Sequence, residues 1–255
     1  MVTYLLKKSY RLKDFKETNF KDLWGDHGVF TTMWIYNKPQ KILFFKNHIQ
    51  NLIKSLKVYN INNSKLKKQL LLLIKKNINT KYRYNHLLRV ALTKKILSIS
   101  LRKRIKPKKD FDLKLVNLKR LKPEFKNLKY KEILKYLKKL DNSKSDIGLC
   151  LNNKIFETGT SNILFIKANK VYSPINNFYK GITYNFFKKK IKIIHKNIYL
   201  NTIKHYDEII LIGSGKGVTS VKSIRQIKWK RKNLKFYNIL SKYYLSAIKN
   251  CPKIN

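Results

Sequence analysis

Residues 154–165 read Lys154-Ile155-Phe156-Glu157-Thr158-Gly159-Thr160-Ser161-Asn162-Ile163-Leu164-Phe165. A β-prone run meets an acid, four small residues follow, and a second β-prone run leaves. The stretch predicts strand, turn, strand, with Glu157 at the bend. The acid is informative because acids are scarce. Asp+Glu number 13 against 59 Lys+Arg, and the only glutamates are Glu17, Glu124, Glu132, Glu157 and Glu208. A lone glutamate beside a turn is most often a solvent-facing strand residue, and Glu157 by itself says no more. Its weight comes from what flanks it at longer range. Upstream is Phe125-Lys126-Asn127-Leu128-Lys129-Tyr130. Downstream are Tyr172-Ser173-Pro174, Lys180-Gly181-Ile182-Thr183 and Gly213-Ser214-Gly215-Lys216-Gly217-Val218.

The composition is globular, with 43% hydrophobic residues in 255, enough for one large domain or two smaller ones. The formal net charge of +46 invites a nucleic-acid or anionic-surface reading. The excess is mostly lysine, spread along the chain and accompanied by abundant Asn, Ile and Tyr, all with AT-rich codons. Arginine, the better residue for bidentate phosphate recognition, is absent between Arg120 and Arg225. We therefore read the charge as codon bias and expect no specific nucleic-acid partner. Cys150 and Cys251 form no close motif, and the five histidines show no metal-ligand spacing, so no metal site is expected. Met1-Val2-Thr3-Tyr4-Leu5-Leu6-Lys7-Lys8 is charged too early for a signal segment. No stretch is long and uncharged enough to span a membrane. A soluble cytoplasmic protein is expected.

Residues 1–24 predict an edge strand and loop. Val29–Tyr36 and Lys41–Phe45 predict a hairpin, followed by helices over 47–58 and 64–76 and a strand pair over 87–93 and 96–101. The basic run 102–110 reads as a solvated loop opening a linker that Pro123 closes. Beyond it, helices are predicted over 129–140, 183–194 and 234–249, strands over 147–151, 155–158 and 207–212, and a hairpin over 163–174. The expected organisation is an α+β domain over 1–104, a linker over 105–123, and a second α+β domain over 124–255 that carries the lysine segment.

A lysine, an acid and two small-residue loops are the parts needed to work with pyridoxal 5'-phosphate. The lysine forms the resting Schiff base and shuttles protons. The acid partners the pyridine nitrogen. Loop and helix-start N–H groups hold the phosphate. As a nucleotide motif the glycine loop fails: residue 210 is Ile where a Walker spacing needs Gly, and residue 218 is Val where G-x-G-x-x-G needs Gly. Taken in order, the segments resemble the class IV aminotransferase family, the fold-type IV pyridoxal phosphate enzymes. Gly28-Val29-Phe30-Thr31-Thr32, His48-Ile49-Gln50-Asn51-Leu52 with Ser55, the lysine segment, Glu157 to Phe165, Ser173-Pro174 with Gly181-Ile182-Thr183, and Asp207-Glu208-Ile209 with the glycine loop and Val221 each match a family motif. No single match is specific; six in sequence are.

The resemblance implies a two-domain α+β fold with the cofactor between the domains, and a homodimer. It makes Lys126 the Schiff-base lysine and general acid/base, and Glu157 the partner of the ring nitrogen. Ile182, Thr183, Ser214 and Gly215 become the phosphate cradle. The short length, the Phe-Thr-Thr strand and the lysine segment most resemble the family's 4-amino-4-deoxychorismate lyases. That implies a small-molecule amino substrate cleaved to 4-aminobenzoate and pyruvate. Two positions depart from the family: Asn51 and Tyr184 stand where it usually has arginine. An amide gives weaker bonds to phosphate than a guanidinium, which lowers the expected cofactor affinity; Lys46 or Lys54 are the nearby sources of charge. Three alternatives remain: a branched-chain or D-amino-acid aminotransferase of the same family, a basic polyanion-binding protein, and a catalytically dead member of the fold.

Overall fold

The computed structural model describes residues 3–61 and 64–253 and groups the chain into two units. Met1 and Val2, part of the expected 1–24 segment and of the leader reading, lie outside the described residues. The first unit takes in the chain to Arg104, Phe125–Tyr130 and the residues from Asn250; the second takes in Ile105–Glu124 and Lys131–Lys249.

In the first unit a six-stranded sheet has the order β2-β1-β6-β5-β3-β4. Its strands are β1 (Tyr4–Arg11), β2 (Glu17–Thr18), β3 (Gly28–Asn37), β4 (Lys41–Ile42), β5 (Tyr84–Thr93) and β6 (Ile96–Lys103). All pairings are antiparallel. Alternation along β3 decides the faces. Val29, Met33 and Ile35 turn to one side and are fully buried. There they join Leu88, Val90 and Leu92 of β5, with Leu97, Ile99 and Leu101 of β6. Helices α1 (Phe45–Val58) and α2 (Leu66–Asn77) bring Ile49, Leu52, Leu56, Leu66, Leu70 and Ile74 into the same cluster. The expected return strand over 41–45 is only two residues long, because Phe44 at φ 57° turns the chain directly into α1.

The second unit holds a nine-stranded mixed sheet, β12-β11-β10-β13-β14-β7-β8-β9, with β15 paired to β14. Its elements are β7 (Asp110–Asn117), α3 (Lys131–Lys138), β8 (Ser145–Leu151), β9 (Lys154–Thr158), β10 (Asn162–Lys167), β11 (Lys170–Ser173), α4 (Ile182–Lys188), β12 (Ile193–His195), β13 (Glu208–Gly213), β14 (Gly217–Ile224), β15 (Trp229–Lys230) and α5 (Lys235–Lys249). Phe111, Leu113, Ile155, Ile163, Phe165, Ile209, Leu211 and Val221 form its main core.

Three boundaries differ from those read off the sequence. The expected linker contains β7, which pairs in parallel with both β8 and β14 in mid-sheet. The lysine segment groups with the first unit, because its backbone is hydrogen-bonded to β3. The helix expected over 183–194 ends at Lys188, and the β-branched run behind pairs with β11 as β12.

Alternation puts Glu208 on the sheet face opposite Ile209 and Leu211. It is fully buried, and its carboxylate accepts the N–H groups of Phe236 at 2.7 Å and Tyr237 at 3.0 Å. An anion on the first turn of α5 satisfies two orphan donors and suits the helix dipole. Glu208→Ala is expected to destabilise the chain by about 2 kcal/mol, read from the urea midpoint at pH 7.

Candidate active site

The first-unit component is the lysine segment. Phe30 N–H donates to Lys126 O at 2.9 Å, Leu128 N–H to Gly28 O at 2.9 Å, and Gly25 N–H to Leu128 O at 2.8 Å. Leu128 is fully buried with Leu23, Phe30 and Ala91. The backbone from Lys126 to Leu128 is therefore fixed, and the Lys126 Nζ lies 5.1 Å from the centroid of the Phe30 ring. On the other face of β3, Thr31 Oγ1 lies 2.7 Å from His48 Nδ1. Burial, with a smaller contribution from the Lys126 charge, pushes the His48 imidazole down to about 3. His48 is thus neutral at physiological pH and adds no second cation beside the lysine. Asn51 is half-buried on α1, with its carbonyl accepting from Ser55 Oγ at 2.9 Å, while Lys46 and Lys54 are exposed.

The second-unit component is built around Glu157 at the end of β9. Its side chain is 7% exposed and meets Arg120, 2% exposed. Arg120 Nε donates to Oε1 at 2.6 Å, and a terminal nitrogen donates to Oε2 at 3.2 Å and to Pro123 O at 2.6 Å. Tyr179 N–H also points to Oε2, at 3.4 Å. From Tyr179 the network continues. Asn162 Nδ2 donates to Tyr179 O at 2.5 Å, and Asn162 Oδ1 accepts Gly181 N–H at 3.1 Å. A Cβ at Gly181 would lie 2.8 Å from that Asn162 oxygen, so the start of α4 can approach this closely only as glycine. Next come Ile182 and Thr183, both buried, and Thr183 Oγ1 lies 3.4 Å from Ser214 Oγ. Ser214 and Gly215 are half-buried.

Of the residues singled out from sequence, five therefore share one unit: the hydrogen bonds from Glu157 end at Gly181, which starts the helix carrying Ile182 and Thr183, and Ser214, followed by Gly215, lies against Thr183. Lys126 belongs to the other unit. Tyr184, at the second arginine position, is fully buried, with its hydroxyl 2.9 Å from His195 Nε2. Sequence reasoning missed Arg120, whose one signal was to be an isolated arginine six residues before Lys126. It also missed Asp146 and Lys216. The Asp146 carboxylate is fully buried and bonds Lys216 Nζ at 2.5 Å, Thr160 Oγ1 at 2.7 Å and Thr158 Oγ1 at 2.9 Å. Burial pushes the Lys216 ammonium down and Asp146 opposes that shift. Cys150 is buried, and burial pushes its thiol up to about 12, so it is inert. Among the described residues, no group of three or more His, Cys, Asp or Glu gathers as metal ligands, and no helix is long and apolar enough to cross a membrane.

The buried His48 gives a test. The unfolded chain binds a proton at this residue below pH about 6.5, whereas the folded chain does so only near 3. Its contribution to stability is complete above pH 6.5 and is lost as pH falls toward 3. Between pH 7 and pH 5, wild type is expected to lose about 2 kcal/mol more stability than His48→Asn, measured by urea unfolding of both proteins at each pH.

The sequence profile of a family described as amino-transferase class IV matches residues 28–224. Solved structures share the fold. One is a protein of Legionella pneumophila named provisionally as a 4-amino-4-deoxychorismate lyase. It matches with TM-score 0.72 at 18% identity, covering 87% of this chain and 91% of that one. The branched-chain aminotransferase of Thermoproteus uzoniensis, solved with norvaline, matches with TM-score 0.72 at 14% identity over 95% of this chain and 93% of that one. A hypothetical aminotransferase of Mycobacterium tuberculosis in its pyridoxal phosphate-bound form matches with TM-score 0.73 at 11% identity over 95% and 99%. At these identities the likeness speaks for fold. No curated protein matches the chain by sequence. The fold is that of the fold-type IV pyridoxal phosphate enzymes, and the profile spans β3, the lysine segment, Glu157, the start of α4 and the glycine loop. The chain belongs to the class IV aminotransferase family.

Proposed function

We propose that this family member is a pyridoxal phosphate-dependent lyase that converts 4-amino-4-deoxychorismate to 4-aminobenzoate and pyruvate. Members of the family depend on this cofactor. The residues present suit it: a lysine amine, a buried acid held by a guanidinium, and paired hydroxyls where a glycine-started helix meets a glycine loop. When bound, pyridoxal phosphate supplies an electron sink conjugated to the substrate amine. Lys126 would hold the cofactor at rest and, once released, would take the ring proton of the substrate as general base and return a proton to the methylene carbon of the departing enolpyruvate. Glu157, fixed by Arg120, partners the pyridine nitrogen. Thr183 and Ser214 donate hydroxyls to the phosphate, and the backbone N–H groups of Ile182, Thr183 and Gly215 add to them. Loss of the enolpyruvyl group as pyruvate leaves the substrate ring aromatic.

The lyase reading is preferred to the aminotransferase one on the resemblance of the Phe-Thr-Thr strand and the lysine segment, and the bond from Phe30 N–H to Lys126 O supports it. That bond sets Phe30-Thr31-Thr32, the strand that most resembles the lyases, directly beside the lysine. The aminotransferase reading is favoured by the solved aminotransferases that share the fold; it predicts dependence on a 2-oxo acid as amino acceptor. By the same resemblance the protein works as a homodimer.

Wild type with pyridoxal phosphate is expected to show a visible absorption band. Borohydride should abolish the band and fix the cofactor to Lys126, as read by peptide mass. Lys126→Ala is expected to lack the band and to lose about 1000-fold or more in turnover. Pyruvate release without an added 2-oxo acid is the expected product pattern. Amino transfer without pyruvate release would replace the lyase by an aminotransferase.

A further inference from the structure

The glycine loop between β13 and β14 carries a lysine that no part of the proposed chemistry uses. Lys216 follows Gly215 directly, yet its side chain is only 8% exposed and that of Asp146, its partner, is 0% exposed. A buried ammonium is costly unless paired, and here it is paired closely. Its Nζ lies 2.5 Å from Asp146 Oδ2 and 4.3 Å from the centroid of the Phe111 ring. The same oxygen accepts Thr158 Oγ1 and Thr160 Oγ1, and Ile147 N–H donates to Asp146 Oδ1 at 2.8 Å.

These bonds join three segments. Asp146 lies on β8. Thr158 and Thr160 lie on the turn that immediately follows Glu157. Lys216 lies on the loop that carries Ser214 and Gly215. The loop is drawn tight against the same turn elsewhere as well: a Cβ at Gly213 would lie 3.1 Å from Ser161 Oγ. The turn is closed on itself by Thr158 N–H to Ser161 O at 3.0 Å and Ser161 N–H to Thr158 Oγ1 at 2.9 Å. It is therefore a firm body for the loop to be tied to.

Lys216 does not itself serve as the phosphate's cation. Its ammonium is committed to a carboxylate, and the pair brings no net charge. Its effect is geometric. We propose that the Asp146–Lys216 ion pair is a positioning device for phosphate recognition, which fixes the donors of Ser214 and Gly215 at a set distance from Glu157. The inference rests on the cofactor reading given above. It assigns to this chain a buried tie between the acid that faces one end of the cofactor and the loop that holds the other. Such a tie matters because neutral hydrogen bonds depend on alignment for their strength.

The test compares two ligands that differ only in the phosphate. Pyridoxal phosphate and pyridoxal are titrated into the full chain, with binding read by absorbance and intrinsic fluorescence. The proteins are wild type, the double variant Asp146→Asn with Lys216→Met, and Thr160→Val. The double variant removes both charges, so neither is left buried alone. It is expected to bind pyridoxal phosphate about tenfold or more weakly, with pyridoxal affinity changed by less than about twofold. Thr160→Val keeps the ion pair and removes one of its bonds; it is expected to weaken pyridoxal phosphate alone, by about two- to fivefold. The double variant binding pyridoxal phosphate as wild type does would overturn the proposal. So would equal loss of both ligands, which would mark the pair as merely structural. Should the double variant fail to fold, Thr160→Val decides: unchanged pyridoxal phosphate affinity overturns the proposal. Wild type that binds neither ligand overturns the cofactor reading itself, and this inference with it.

Discussion

Two opposite charges meet out of water in the second unit, where Arg120 Nε lies 2.6 Å from Glu157 Oε1. Removing such groups from solvent is expensive, and a buried ion pair often stabilises a fold no better than apolar residues of the same volume. The pair is better understood as what permits a carboxylate to be buried and held still. The guanidinium reaches both oxygens and also bonds Pro123 O, three residues before Lys126 in the chain. From Glu157 the hydrogen bonds pass through Tyr179 and Asn162 to Gly181, where α4 begins. If the carboxylate is displaced, the start of that helix loses its reference point.

The lysine-rich composition makes the few acids informative. With 13 acids against 59 Lys and Arg, carboxylates are scarce, yet among the described residues three are buried: Asp146, Glu157 and Glu208. Each organises backbone or side-chain donors that would otherwise be unsatisfied. Glu208 caps α5, Asp146 gathers two threonines and a lysine, and Glu157 holds Arg120. The scarcity read in the sequence and the burial seen in the fold describe one constraint from two sides.

Much of the fold was legible because its signals are local. The period-two pattern of Val29–Tyr36, the apolar spacing of α1 and α2 and the turn after Glu157 need no tertiary knowledge. The errors arose where a local signal was outvoted. In β7, Phe111, Leu113 and Leu115 alternate as a strand should, but the basic run before them read as a loop, and the whole stretch was taken as a linker. In 183–194 the apolar residues suit helix and strand alike, and only pairing with β11 decides for β12. Of the candidate site, only residue types in order were legible, and Lys126, Glu157, Ile182, Thr183, Ser214 and Gly215 are candidates named from that order. What supports them was not legible. Arg120 and Asp146 act on partners 37 and 70 residues away in sequence, and no spacing rule reaches that far.

The central claim is that Glu157 is the acid that meets the ring nitrogen of the cofactor. The most direct measurement is the 15N chemical shift of ring-labelled pyridoxal phosphate bound to wild type and to Glu157→Gln. The account predicts a protonated pyridine nitrogen in wild type and an unprotonated one in the variant. An unprotonated nitrogen in wild type, or the same shift in both proteins, would contradict it.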